Sequence, residues 1–456
     1  MNATSQSPAL ERVLGLKEAV ALNMTDMVGI GPFIVIPLVI RAMHGPQCLL
    51  AWLAGALLAL LDGFVWSELG AAMPRAGGSY VFLREAYGPG RWGRLMSFLF
   101  VWQTLIQAPL VVASGAIGFA QYAGYLHPLL HWQEKAVSGG LIVVLVVLLY
   151  RRIGAIGKIS LWLWVGVMGA FAWMIWGGAR HFHAHLVFSY PPGAWKLSWY
   201  FFAGLGAAMV NTIYTYWGYY NICHLGGEIR APERNIPRGI FLSIGGIAVL
   251  YLLLQTSILG VIPWQEAQNS RFIVSAYIER LYGSRAAAGA TLLVLWIALA
   301  SVFSTLLGYS RVPYSAALDG NFFSIFARLH RRKHFPHVSL LLLGSLAFLF
   351  SLLFKLETVI AAILAMRLLV QFIGQAAGVI LLRRRWPPER LPFKMWWYPA
   401  PAILTLLGWA ALFLATGPAR KWGLLVMALG VVAFLTRARF SREWPFAGAR
   451  SGAEAA

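Results

Sequence analysis

The segment Gly29-Ile30-Gly31-Pro32 interrupts an apolar run, Ala19 to Pro37, that is long enough to enter a bilayer. Asp26 stands three residues before the first glycine. Glycine releases the helical backbone and proline removes a donor, so a helix breaks at this spacing. Lipid offers no hydrogen-bond partners, and unwound backbone persists there only where it lines a cavity or packs on protein. The chemistry this provides is electrostatic. Amides at the start of the helix that resumes at Pro32 favour a carboxylate. Carbonyls at the end of the first half, near Val28, favour an ammonium. Val28, Gly29, Ile30, Gly31 and Phe33 are therefore candidate substrate-binding residues. Pro32 suits a first helical turn but donates no N–H, so the anion nest has one donor fewer. The plainer reading of Gly-x-Gly is close helix packing by small residues.

A second polar and aromatic cluster surrounds Gly218: Asn211, Thr212, Tyr214, Tyr216, Trp217 and Asn221. Tyr214, Tyr216, Trp217 and Gly218 are candidates to wall the same cavity, against the plainer reading of aromatic filler. Gln107 is a further candidate, polar at depth. Acids inside spans are costly and default to functional candidates. Asp26 could carry a proton or face a cationic group, or it could simply anchor a backbone amide. Glu68 and Glu228 read as coupling or gating acids, or as structural ion pairs. The roles of Asp62 and Arg367 stay open: Arg367 could pair with an acid, attract an anion or snorkel to the outer interface. Ser304 and Thr305 read best as hydroxyls bonded back to their own helix.

These residues need a membrane scaffold. The chain has 456 residues, 59% hydrophobic and only 12% charged, against about 25% charged in soluble proteins. Twelve spans are expected, at 18–42, 47–70, 94–124, 136–152, 159–179, 199–226, 238–262, 286–316, 338–353, 357–382, 399–416 and 422–436. The net charge of +21 is mainly a topology signal, because most of the 37 Lys and Arg fall in segments on one side. The positive-inside rule then places both termini in the cytoplasm, and nucleic acid is not an expected partner. Basic runs at Arg331–Lys333 and Arg383–Arg385 favour anionic lipid. Gly70–Gly93 reads as a turn and a short interfacial helix with basic and aromatic anchors. No cleavable leader is expected at the N-terminus. Cys48 and Cys223 lack metal-ligand spacing, and no cofactor or metal is expected.

The first and sixth spans are both interrupted, five helices apart, which points to an inverted repeat with the site between its halves. Four segments carry a resemblance: Gly29-Ile30-Gly31-Pro32-Phe33; Glu68-Leu69-Gly70 through Met73-Pro74-Arg75-Ala76-Gly77-Gly78-Ser79-Tyr80; Tyr216-Trp217-Gly218 with Gly227-Glu228-Ile229 and Pro232-Glu233-Arg234-Asn235-Ile236-Pro237; and Arg311-Val312-Pro313-Tyr314 with Leu318-Asp319-Gly320. On these the chain resembles the amino acid–polyamine–organocation superfamily, in the branch of L-type amino acid transporters and polyamine permeases. The resemblance implies an all-α polytopic protein with a leucine-transporter-like fold. Two inverted five-helix repeats (18–179 and 199–382) would be followed by two extra helices (399–436), in one transmembrane domain working by alternating access. Two features depart from the family pattern. Ile30 and Pro32 replace a hydroxyl and an aliphatic residue at the first break. Val167 stands where many bacterial relatives carry a lysine in the fifth span, Lys158 being nearer the cytoplasmic end.

The expected function is secondary transport of amino acids, neutral L-amino acids first, across the cytoplasmic membrane, coupled to protons or to exchange. A polyamine or cationic amine permease is the alternative, favoured by Asp26, Asp62 and the donor missing at Pro32. A transport-dead solute sensor is the second. A membrane enzyme finds no support in the sequence: it shows no nucleophile elbow and no His–acid pair at ligand spacing in a span.

Overall fold

The computed structural model describes residues 10–356, 363, 366–440 and 442–446. It is 77% helical, with no β-strand among the described residues. The chain enters α1 (Leu16–Val28) and, after Gly29 and Ile30, α2 (Gly31–Met43). Then come α3 (Leu49–Ala72), α4 (Ser79–Ala86), α5 (Trp92–Ala123), α6 (His131–Leu149), α7 (Ile153–Arg180) and the short α8 (Ala184–Val187). The second half runs through α9 (Trp199–Tyr216), α10 (Asn221–His224), α11 (Pro232–Leu259), α12 (Trp264–Ala267), α13 (Ile273–Tyr282), α14 (Ser284–Tyr309), α15 (Arg311–Leu318) and α16 (His337–Leu353). A π-helical turn at Leu368–Ile373 leads into the helix Gly374–Arg385, and helices Ala400–Ala415 and Arg420–Phe440 complete the described chain.

Among the described residues seven helices are individually long and apolar enough to cross a bilayer, and eight if α1 and α2 count as one span bent by 48°. His337–Leu353 and Ala400–Ala415 are shorter apolar helices. Part of the expected tenth span, 357–362 and 364–365, lies outside the described residues. Residues such as Val147, Trp162 and Val432 leave large apolar surface exposed on α6, α7 and the Arg420–Phe440 helix. A soluble fold would bury that surface, whereas lipid accepts it.

Local sequence explains the elements that frame the site. The Glu18 carboxylate accepts from the Gly15 amide at 2.9 Å and closes the start of α1. α1 stops at Gly29, whose φ of +37° suits glycine. Pro32 stands in the first turn of α2, where its missing N–H costs nothing. α1 packs on α7, α11 and α14, and α2 packs on α9. Small residues permit close approach of α14 to α10 and of α5 to α14: a Cβ on Gly308 would meet Asn221 Oδ1, and one on Gly115 would meet Val302.

Two loop expectations need correction. α4 is not an interfacial helix with aromatic anchors in lipid. Tyr80 and Phe82 are buried, with Phe82 on Trp66, and Asn321 donates to the Tyr80 hydroxyl at 2.7 Å. Its basic end is consumed by Arg84, paired with Asp319. The stretch left between the expected spans 238–262 and 286–316 is not plain loop: it folds into α12 and α13, and α13 buries Ile273, Val274, Tyr277 and Ile278.

Candidate functional site

The two interruptions touch. α9 ends at Tyr216, and Trp217 is extended (φ −61°, ψ 144°). Gly218 follows at φ +124°, with its Cα so close to α1 that a Cβ would lie 2.7 Å from Met27 N and 2.8 Å from the Asp26 carbonyl carbon. Beyond it lies only the single turn α10, not a second half-helix. A Cβ on Gly31 would lie 3.2 Å from both Thr215 and Tyr214. Tyr251 on α11 bridges the breaks, its hydroxyl lying 2.9 Å from the Met27 carbonyl oxygen and 3.1 Å from that of Thr215. Asn23 makes a further link: its side chain donates to the Tyr219 carbonyl and accepts from the Ile222 amide at 3.0 Å.

Between the breaks is a cavity of about 60 Å³, room for a few waters. Gly29, Ile30 and Gly31 line it from the first break, and Tyr214, Trp217 and Gly218 from the second. Asp26 lines it from α1 and accepts from the Thr305 hydroxyl of α14. Ser301 donates to the Asp26 carbonyl at 3.2 Å, and Ser304 to the Leu22 carbonyl at 2.7 Å. These hydroxyls therefore bond across to α1 and not back along α14, which corrects the sequence reading. The exchange has a cost, since the carbonyls of Asp26 and Met27 are already answered. Val28 does not line the cavity.

Arg367 completes the wall, and the sequence had left its role open. Its guanidinium lies 4.7 Å from the centre of the Trp217 ring, and Trp217 stacks on Phe372 behind it. It donates to the Tyr309 hydroxyl and pairs with no carboxylate among the described residues. A desolvated cation over indole gains about 2 kcal/mol or more, enough to help hold a charge at this depth.

Several expected site residues lie elsewhere. The Phe33 ring packs on Tyr122 and Phe171, centroids 6.5 and 6.1 Å away. Tyr216, still on α9, packs on Trp52 and Tyr251 and donates to the Trp52 carbonyl. Gln107 is buried outside the cavity lining, with no partner for its amide among the described residues. Thr212 donates to the Ala51 carbonyl at 3.0 Å and Asn221 to Ser304 Oγ at 2.8 Å, so both tie helices together. Glu68 takes Arg383 through both carboxylate oxygens and the Met395 amide at 2.7 Å. Glu228 takes Arg311 through both oxygens at 2.8 and 3.0 Å, both side chains almost fully buried. Asp62, also away from the cavity, accepts from Trp66 and Tyr219.

The cavity lies on a line of openings. On α2, α5 and α9, one to two turns beyond the cavity, Leu38, Ile117, Gln121 and Val210 line a cleft of about 1090 Å³. In the other direction Tyr309 lines the cavity, and two residues on Arg311 makes the buried Glu228 pair. The Glu228 carbonyl also accepts from the Val13 and Leu14 amides at 3.0 Å. Past this plug Gly227, Tyr314 and Ser315 line a cleft of about 1400 Å³.

A family model described as amino acid permease matches residues 14–434. The chain belongs to the amino acid permease family. This permease is 26% identical over 420 residues to cationic amino acid transporter 4 of Mus musculus, covering 84% of the chain and 61% of that relative. It is 25% identical over 426 residues to the serine/threonine exchanger SteT of Bacillus subtilis, covering 89% and 91%. It is 26% identical over 447 residues to the human cystine/glutamate transporter, covering 93% and 85%. The permease thus spans under two thirds of the cationic relative's length. Membership makes it a multi-pass membrane protein.

Proposed function

We propose that the chain is a secondary transporter that carries an amino acid across the cytoplasmic membrane by alternating access, with both termini in the cytoplasm. The observation that carries this reading is the cavity formed where the two interrupted helices meet. It is flanked on one side by an open cleft and on the other by a buried ion pair. Paired breaks of this kind offer backbone dipoles to a solute's charged ends without covalent chemistry. Twelve spans in two inverted repeats, 18–179 and 199–382, belong to the same reading, as do the helices at 399–436. In it the solute's α-carboxylate meets the amides at the start of α2, and its ammonium faces Asp26. Trp217 and Tyr214 border its side chain, and Glu228–Arg311 closes the cytoplasmic side. The relatives' printed substrates are cationic, hydroxylated and acidic, so kinship supports an amino acid without choosing its side chain.

Gly31→Leu tests the site. Its side chain would meet Thr215 and Tyr214 and occupy the cavity, so uptake of labelled amino acids into proteoliposomes should fall to background while the protein elutes and melts normally. Full uptake by that variant would remove the assignment. Coupling is tested at Asp26, the acid of the cavity lining, whose neighbours there include Arg367, Tyr214, Tyr220 and Tyr309. If Asp26 carries the proton, Asp26→Asn should flatten uptake against pH between 5 and 8, and an unaltered profile would leave proton coupling without its carrier.

A further inference from the structure

Resting on that reading, we infer that the preferred solutes carry one anionic group more than a neutral amino acid, and that Arg367 takes it. Three observations along one line support this. Arg367 is 4% exposed, lines the cavity and is matched by no carboxylate among the described residues. A guanidinium stays charged, and a buried charge needs a partner or costs several kcal/mol. Tyr309 and Gln371 give it neutral acceptors, and the aromatic faces of Trp217 and Tyr220 support it. None of these neutralises it. A solute carboxylate entering the cavity would.

The approaches carry the same sign. In the cleft beyond α2, Arg41, Lys135, Arg271 and Lys355 face Glu134 as the acid among the described lining residues. In the cleft past the plug, Arg12, Arg75, Arg328, Arg331 and Arg332 line the wall with no acid beside them, although Asp319 answers Arg75 from outside it. The positive-inside rule accounts for the second set. It does not account for the first set, on the opposite side in the proposed topology, nor for Arg367 at depth. Clefts of one sign with low-dielectric walls concentrate ions of the other sign. A polyamine or a basic amino acid would meet repulsion at each stage, which weighs against the cationic alternative. Asp26 lines the same cavity but makes no ion pair with Arg367; its carboxylate accepts from Thr305 and, in the proposed reading, faces the α-ammonium that every amino acid carries.

The experiment is direct binding to the purified full chain, read by calorimetry with L-glutamate, L-leucine, L-lysine and putrescine at low and high salt. L-glutamate should bind about tenfold or more tighter than L-leucine, as a charge-assisted guanidinium–carboxylate contact provides. The advantage should shrink at high salt, and the two cations should bind most weakly. Arg367→Gln should bring glutamate down to the level of leucine, so that the ratio between the two falls to about one. Equal or tighter binding of leucine or lysine to the unaltered chain overturns the inference, as does a glutamate preference that survives Arg367→Gln. Equal losses of glutamate and leucine in that variant would show that Arg367 holds the α-carboxylate, which also overturns it. Should Arg367→Gln not fold, the ranking and its salt dependence in the unaltered chain decide. The underlying transport reading fails separately: no amino acid of any charge would bind, and Gly31→Leu would change nothing.

Discussion

Gly218→Ala should reduce uptake by roughly 10- to 100-fold while the protein still inserts and purifies. Two costs fall on one methyl group. At φ +124° a β-carbon strains the backbone, about 1–3 kcal/mol for such a position. The same β-carbon would lie 2.7 Å from the Met27 nitrogen and 2.8 Å from the Asp26 carbonyl carbon. Those neighbours are backbone and cannot rotate aside, so α1 must retreat from the second break. Asp26 retreats with it, and the Thr305 contact is strained. Labelled amino acid uptake in proteoliposomes gives the measure, with Gly245→Ala on α11 as the control, because a β-carbon there meets nothing within 4 Å. Normal uptake by Gly218→Ala would mean that the contact between the breaks is incidental to transport.

Breaking the plug should have the largest effect on stability. Glu228 and Arg311 are 0% and 2% exposed as side chains, and their guanidinium–carboxylate pair is bidentate. Removing one partner of such a pair strands a buried charge and costs about 3–5 kcal/mol, whereas replacing both with neutral groups costs much less. Glu228→Gln and Arg311→Met should therefore each lower the melting temperature steeply, and the double variant should recover most of the loss. Thiol labelling adds a local readout. Cys223, buried just before the plug, should become reactive to maleimide in either single variant. Cys48, buried near the opposite end of α2, should stay protected. A double variant as unstable as the worse single one would refute the pairing as the source of the effect.

What could be read from the chain beforehand follows from distance along it. Gly29, Gly31 and Pro32 announce a break because glycine and proline act on their own backbone, and the bend of 48° lies there. Trp217 and Gly218 announce the second in the same way. Which neighbouring aromatic faces the cavity was not legible. α9 ends one residue earlier, so Tyr216 keeps a helical side-chain direction towards Trp52, and extended Trp217 turns the other way. Phe33 is misjudged for a related reason: its amide belongs to the start of α2, while its ring follows the helix face towards Tyr122. Arg367 joins the cavity from a helix some 150 residues downstream of Trp217, and no local pattern announces such a meeting. Glu228 and Arg311, 83 residues apart, are equally invisible as a pair until folded.

Tyr251 gives the junction one last property. A phenolic hydroxyl has a single hydrogen to donate, yet the Tyr251 oxygen stands within bonding range of carbonyls from both interrupted segments, Met27 and Thr215. That hydrogen is shared while the segments stay together. Once they part it must leave with one of them, and the other carbonyl is left asking for water. The toll is about one hydrogen bond, on the order of 1 kcal/mol: enough to bias a molecule towards rest, and small enough for thermal motion to undo many times a second.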